Sequence, residues 1–191
     1  MRLISLLTMN LVLCLATAIY AEVCVPGEKS TANRAAPISQ LQGQTGSDFD
    51  SKYMTVMYQH HSDTASIAQV ELNNTNDTML NSLSKKIMHE RYDLNKKLAI
   101  LYGKYVGGEL TAQCYPPPKS WMQYAGLASP QFDRHFVDLM IIQLQQARDA
   151  AQLAEVFTTL NELRNQTKIL TKASNLEIAA LQKWLQTTPE S

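Results

Sequence analysis

The stretch Phe49-Asp50-Ser51-Lys52-Tyr53-Met54-Thr55-Val56-Met57-Tyr58-Gln59-His60-His61 returns as Phe132-Asp133-Arg134-His135-Phe136-Val137-Asp138-Leu139-Met140-Ile141-Ile142-Gln143-Leu144. Phe49, Asp50 and Met57 align without a gap on Phe132, Asp133 and Met140. Each copy continues through an Ala-rich stretch, a polar break and a second Leu-rich stretch. Such self-similarity marks a repeated supersecondary unit, here a helical hairpin whose apolar face needs a neighbour. Two stacked hairpins predict an all-α four-helix bundle. The His60-His61 pair is opposed by Gln143-Leu144 in the second copy, so chemistry tied to that pair is single and asymmetric.

Helical spacing places the first hairpin at residues 48–105 and the second at 130–187. In the first, Phe49, Tyr53, Val56, Met57, Ile67 and Ala68 recur on one face, with Ser47 or Asp48 as the cap. The Asn73-Asn74-Thr75-Asn76-Asp77 cluster reads as a turn that caps the next helix. That helix carries Leu80, Leu83, Ile87, Leu94, Leu98 and Leu101 and ends before Gly107-Gly108. The second hairpin follows Phe132, Phe136, Leu139, Met140, Leu144, Ala147 and Ala151, then Leu163, Leu170, Leu181, Trp184 and Leu185. Between the hairpins, residues 106–129 include Pro116-Pro117-Pro118, which excludes a regular helix and favours a stiff crossover. A connection that long implies more than adjacent antiparallel helices. Trp121, Met122, Tyr124 and Leu127 are expected to fold over one bundle end as a lid.

Residues 1–21 have the form of a secretory signal peptide: Arg2, an apolar run from Leu3 to Ile19, and small residues at Ala16, Ala18 and Ala21. Residues 22–47 are rich in Gly, Pro, Ser, Thr and Gln without a sustained period, and read as an irregular tail. No segment beyond the leader is suited to membrane insertion, so a periplasmic or secreted protein is expected. Export leaves Cys24 and Cys114 in an oxidising compartment, where an even count reads as a disulfide, with two unpaired thiols or a metal-binding thiolate pair as the alternatives. A bridge closing a loop of that length stabilises by about 4 to 5 kcal/mol at best. The 17 Lys+Arg balance the 17 Asp+Glu, which leaves no basic excess for a nucleic-acid backbone.

Met54, Met57 and His61 are spaced three and four apart and share a helical stripe; His60 lies on a neighbouring one. Thioether and imidazole together suit a soft or borderline metal, above all copper. Methionines at helical spacing serve equally as core filler. Signatures of catalysis are missing: no Glu-x-x-His pair, no complete His-Glu-x-x-His, no Gly-x-Ser-x-Gly and no phosphate-binding loop. A non-enzymatic protein is expected.

Tyr53-Met54, then Met57-Tyr58-Gln59-His60-His61, then Ala65, Ile67 and Ala68 resemble the Met-Ile-x-His-His signature of the ferritin-like bacterial domain of unknown function 305. Phe132-Asp133, Phe136, Asp138 and Met140 resemble it again, and Glu177 to Leu185 is similar to the family's Glu-Ile-x-x-Met-x-x-Trp-Leu ending. The resemblance covers most of residues 49–186. It implies an exported helical bundle and a copper ion held by Met57, His60 and His61, with Met54 as an added thioether. The alternative is a metal-free structural or protein-interaction module of the cell envelope that has kept the fold and lost the site.

Overall fold

The structure, a computed structural model, describes residues 24–26, 35–114 and 130–188. Its elements in chain order are β1 (Cys24–Pro26), α1 (Pro37–Leu41), α2 (Gly46–Asn74), α3 (Thr78–Tyr105), β2 (Ala112–Cys114), α4 (Pro130–Phe157) and α5 (Asn161–Thr187). The protein is all-α: the described residues hold four long helices and one short parallel strand pair. The signal sequence, the Pro116-Pro117-Pro118 run and the lid residues Trp121, Met122, Tyr124 and Leu127 lie outside the described residues.

The tail read as irregular is partly ordered. Pro37 at the first helical position pre-sets the backbone for α1, and Leu41 at its end is buried. Five residues are too few to show a helical period, which is why pattern alone passed over them. β1 pairs in parallel with β2, Cys24 opposite Ala112 and Pro26 opposite Cys114. The cysteine-bearing segments therefore run side by side, with the two cysteines offset by two places in register. Three-residue strands carry too little alternation to be read from sequence.

α2 begins at Gly46 with Thr45 in the cap position, two residues before the nearer expected cap, Ser47, and no side chain closes that end. At α3, Asp77 is the cap: its carboxylate accepts from the Leu80 N–H at 2.9 Å. Gly107 (φ 90°) and Gly108 (φ 79°) supply the left-handed backbone that turns the chain out of α3.

The four long helices form a ring in which every neighbour is antiparallel. Asn95 of α3 reaches Ser62 of α2, Lys104 of α3 reaches Glu162 of α5 while Arg91 reaches Glu177, and Asp50 of α2 meets Thr158 beyond the end of α4. Thus α3 ends and α4 begins at opposite ends of the bundle.

Contacts between the hairpins are reciprocal. Buried Asp50 accepts from the hydroxyls of Thr158 and Thr159 and from the Thr159 N–H in the turn after α4. Asp133, aligned on Asp50, faces Thr75 in the turn after α2. The turns match internally as well: the Asp77 N–H donates to Thr75 Oγ1 at 3.0 Å and the Leu160 N–H to Thr158 Oγ1 at 3.1 Å. Phe49 and Phe132, like Met57 and Met140, are fully buried.

The apolar core is divided. One cluster gathers Phe49, Tyr53, Met54, Met57, Leu98 and Ala151 toward one end. A second gathers Ile67, Ile87, Met88, Phe136, Met140 and Trp184 toward the other. Between them lies a buried polar layer that includes His61, Ser62, Arg91, Asn95, Ser174 and Glu177.

Candidate metal centre

The middle of α2 is where an apolar helix face turns polar. Ser62 Oγ donates to the Tyr58 carbonyl at 2.9 Å, Thr64 Oγ1 to the His60 carbonyl at 2.8 Å, and Ser66 Oγ to the Ser62 carbonyl at 2.9 Å. These hydroxyls fold back on their own helix and so need no partner across the core. Asn95 ties the segment to α3: its Nδ2 donates to the Tyr58 carbonyl at 3.1 Å and to Ser62 Oγ at 2.9 Å. The backbone carrying both histidines is thereby fixed from two sides.

Met54 and Met57 are fully buried, His61 is 1% exposed and His60 5%. The helix nevertheless divides them. Consecutive residues turn by about 100°, and the two imidazoles stand with centroids 6.2 Å apart and planes at 77°. Met54, Met57 and His61 occupy the interior stripe. His60 lines a cleft of about 490 Å³ with Asp63, Gln59, Gln113 and Gln143. β2 is docked beside that cleft by a reciprocal amide contact: Gln59 Nε2 donates to the Gln113 carbonyl at 2.8 Å, and the Gln113 N–H donates back to Gln59 Oε1 at 2.7 Å. Gln59 Nε2 also donates to Asp63 Oδ1 at 2.9 Å.

His61 is held neutral. Burial pushes its proton affinity well below the ordinary imidazole value, and the positive Arg91 beside it and then His60 lower it further. Its Nδ1 is buried without a hydrogen-bond partner. A neutral imidazole nitrogen left unmatched beside thioethers is the donor set a soft cation uses. Among the described residues, no group of three or more His, Cys, Asp or Glu side chains is placed to hold a metal.

Two buried charged groups escaped the sequence reading. Arg91 and Glu177, both with fully buried side chains, pair at 2.5 Å, and Lys86 adds a contact to Glu177 at 3.4 Å. Burial nevertheless raises the Glu177 carboxyl to about 7, against the pull of Arg91. Both were legible in principle. Arg91 shares the stripe of Ile87, Leu94 and Leu98, and Glu177 that of Leu170, Leu181 and Trp184. Glu90, which the helical pattern places near the inward stripe, instead pairs with Lys86 at 3.1 Å and remains partly exposed. Glu71, also missed, is fully buried against Asp133.

Residues 24–99 match the sequence profile of a family described as "Domain of unknown function (DUF305)". This segment belongs to DUF305. The DUF305 match spans β1, α1, α2 and most of α3, including all four candidate ligands, and stops short of the second hairpin. No curated protein matches the chain. Among solved structures, "CopM in the Cu(II)-bound form" superposes with a TM-score of 0.64 at 20% identity, covering 73% of this chain and 98% of CopM. "CopM in the Cu(I)-bound form" gives 0.62 at 22% identity over 72% and 95%, and "CopM in the apo form" 0.65 at 20% over 74% and 98%. At that identity the likeness establishes the helical fold the DUF305 segment adopts, not its ligand.

Proposed function

We propose that this chain is an exported, non-catalytic helical-bundle protein that binds one soft metal ion, copper above all, on the interior stripe of α2. One observation carries the reading: a buried, neutral His61 with an unmatched Nδ1 on the stripe of Met57 and Met54. Met57 and His61 are the central ligands and Met54 a further thioether, while His60 sits at the cleft and receives the ion on its way in. The Cu(I)-, Cu(II)- and Ag-bound forms of CopM, which share the fold, lend support. The leader at residues 1–21 supports export, and among the described residues no helix is long and apolar enough to cross a membrane.

The test is a titration of the mature protein with Cu(I) and with Cu(II), following bound metal and melting temperature. An ion at a hundred times its dissociation constant stabilises the folded state by about 2.7 kcal/mol. Met57→Leu and His61→Ala are expected to abolish that gain, whereas His60→Ala slows loading and retains it. Binding that ignores Met57 and His61, or no binding at all, would end the copper reading in favour of the metal-free interaction module.

A further inference from the structure

The cleft beside His60 follows the repeat. Val56, Gln59, His60 and Asp63 of α2 line it, and so do the residues at the same places of the second copy, from Leu139 to Gln146 on α4. His60 and Asp63 correspond to Gln143 and Gln146, so amides stand where the first copy carries ionisable groups. Gln143 is 7% exposed, and its amide has no hydrogen-bond partner among the described residues. A buried amide left unmatched forfeits the hydration it had in the unfolded chain, and the polar space that Gln143 borders is the cleft.

What such an amide can hold is displayed at the rim. Gln59 takes the N–H and the carbonyl of one extended residue together, Nε2 donating to the Gln113 carbonyl at 2.8 Å and Oε1 accepting from the Gln113 N–H at 2.7 Å. A side-chain amide offers the donor and acceptor of a strand edge, and so reads extended main chain whatever its side chains. The cleft follows α2 from Lys52 to Asp63, about 16 Å of helix and the reach of about five residues of extended chain. Its volume of about 490 Å³ is that of a small-molecule site. The two ends are oppositely charged, with Lys52 exposed and Asp63 buried. Among the described residues no aromatic ring lines the cleft, so a nucleobase has no surface on which to stack.

We infer that this cleft binds a short peptide in extended form, its main chain held by Gln143 and Gln146 as Gln59 holds Gln113. The amino end lies toward Asp63 and the carboxylate toward Lys52. The site is distinct from the interior stripe of Met54, Met57 and His61 and does not depend on the metal reading.

The experiment titrates the mature protein calorimetrically, in metal-free buffer, with penta-alanine and with N-acetyl-penta-alanine amide, which lacks both end charges. It compares the parent with Gln143→Leu and Lys52→Met, each checked for an unchanged melting temperature. The parent is expected to bind one penta-alanine, and the blocked peptide more weakly. Gln143→Leu should weaken both peptides about tenfold. Lys52→Met, at an exposed position, should weaken penta-alanine about threefold and leave the blocked peptide unchanged. No binding of penta-alanine by the parent, as when another part of this chain fills the cleft, overturns the inference. So does binding that Gln143→Leu leaves unaltered, or equal binding of the free and blocked peptides. None of these results bears on the copper titration.

Discussion

Glu71 offers the sharpest quantitative check on the packing between hairpins. Its carboxyl is fully buried near the end of α2 and is raised from 4.5 to about 9, first by burial, then by the charge of Asp133. Thr75, Asp77 and Asp133 face it, and Asp77 is in turn held by the Trp184 Nε1–H at 3.0 Å. At neutral pH the folded protein keeps a proton on Glu71 that the unfolded chain has released. Stability must therefore fall as pH rises from about 4.5 to 9, by at most 1.36 kcal/mol per unit for one group. Between pH 7 and 9 the loss from this group integrates to about 2 kcal/mol, or about 4 to 8 °C in melting temperature for a domain of this size. Urea unfolding at closely spaced pH values should show that slope in the parent. Glu71→Gln, which keeps the shape and cannot ionise, should remove it. Parallel pH curves for parent and variant would refute the protonated Glu71–Asp133 contact.

Asp50→Ala removes the acceptor for two threonine hydroxyls and one N–H, and should cost about 2 kcal/mol in urea unfolding. An effect under 0.5 kcal/mol would mean the contact is replaced by water. Arg91→Ala alone leaves Glu177 buried without its partner and should cost about 3 to 5 kcal/mol, visible as a collapsed thermal midpoint. Thiol counting under denaturing, non-reducing conditions should find no free thiol in the exported protein, with Cys24 and Cys114 joined; two free thiols would contradict the bridge.

The helices were readable because their apolar residues recur with the helical period over nearly thirty positions, and because Asp77 and the Gly107-Gly108 pair punctuate them unambiguously. α1 and the β1–β2 pair were not, since three to five residues cannot display a period. The candidate stripe of Met54, Met57 and His61 followed from spacing alone. Its separation from His60 did not: that depends on how α2 is rotated against α3 and α4, which long-range packing sets. The Arg91–Glu177 pair shows the same limit from another side. Each residue sits on an apolar stripe, and only the antiparallel register of α3 and α5 reveals that the two cancel one another. Glu71 and Asp133 likewise reveal their burial only once the ring of helices closes.

The reciprocal grip of Asp50 on one turn and Asp133 on the other makes the seam between hairpins self-complementary, as the seam of a two-fold dimer is. Such a seam does not distinguish a hairpin in its own chain from the same hairpin in another. The crossover, by holding the second hairpin at high local concentration, is what keeps the pairing within one molecule. Folding at high protein concentration should therefore exchange hairpins between chains, giving a dimer that repeats the contacts between hairpins found in the monomer.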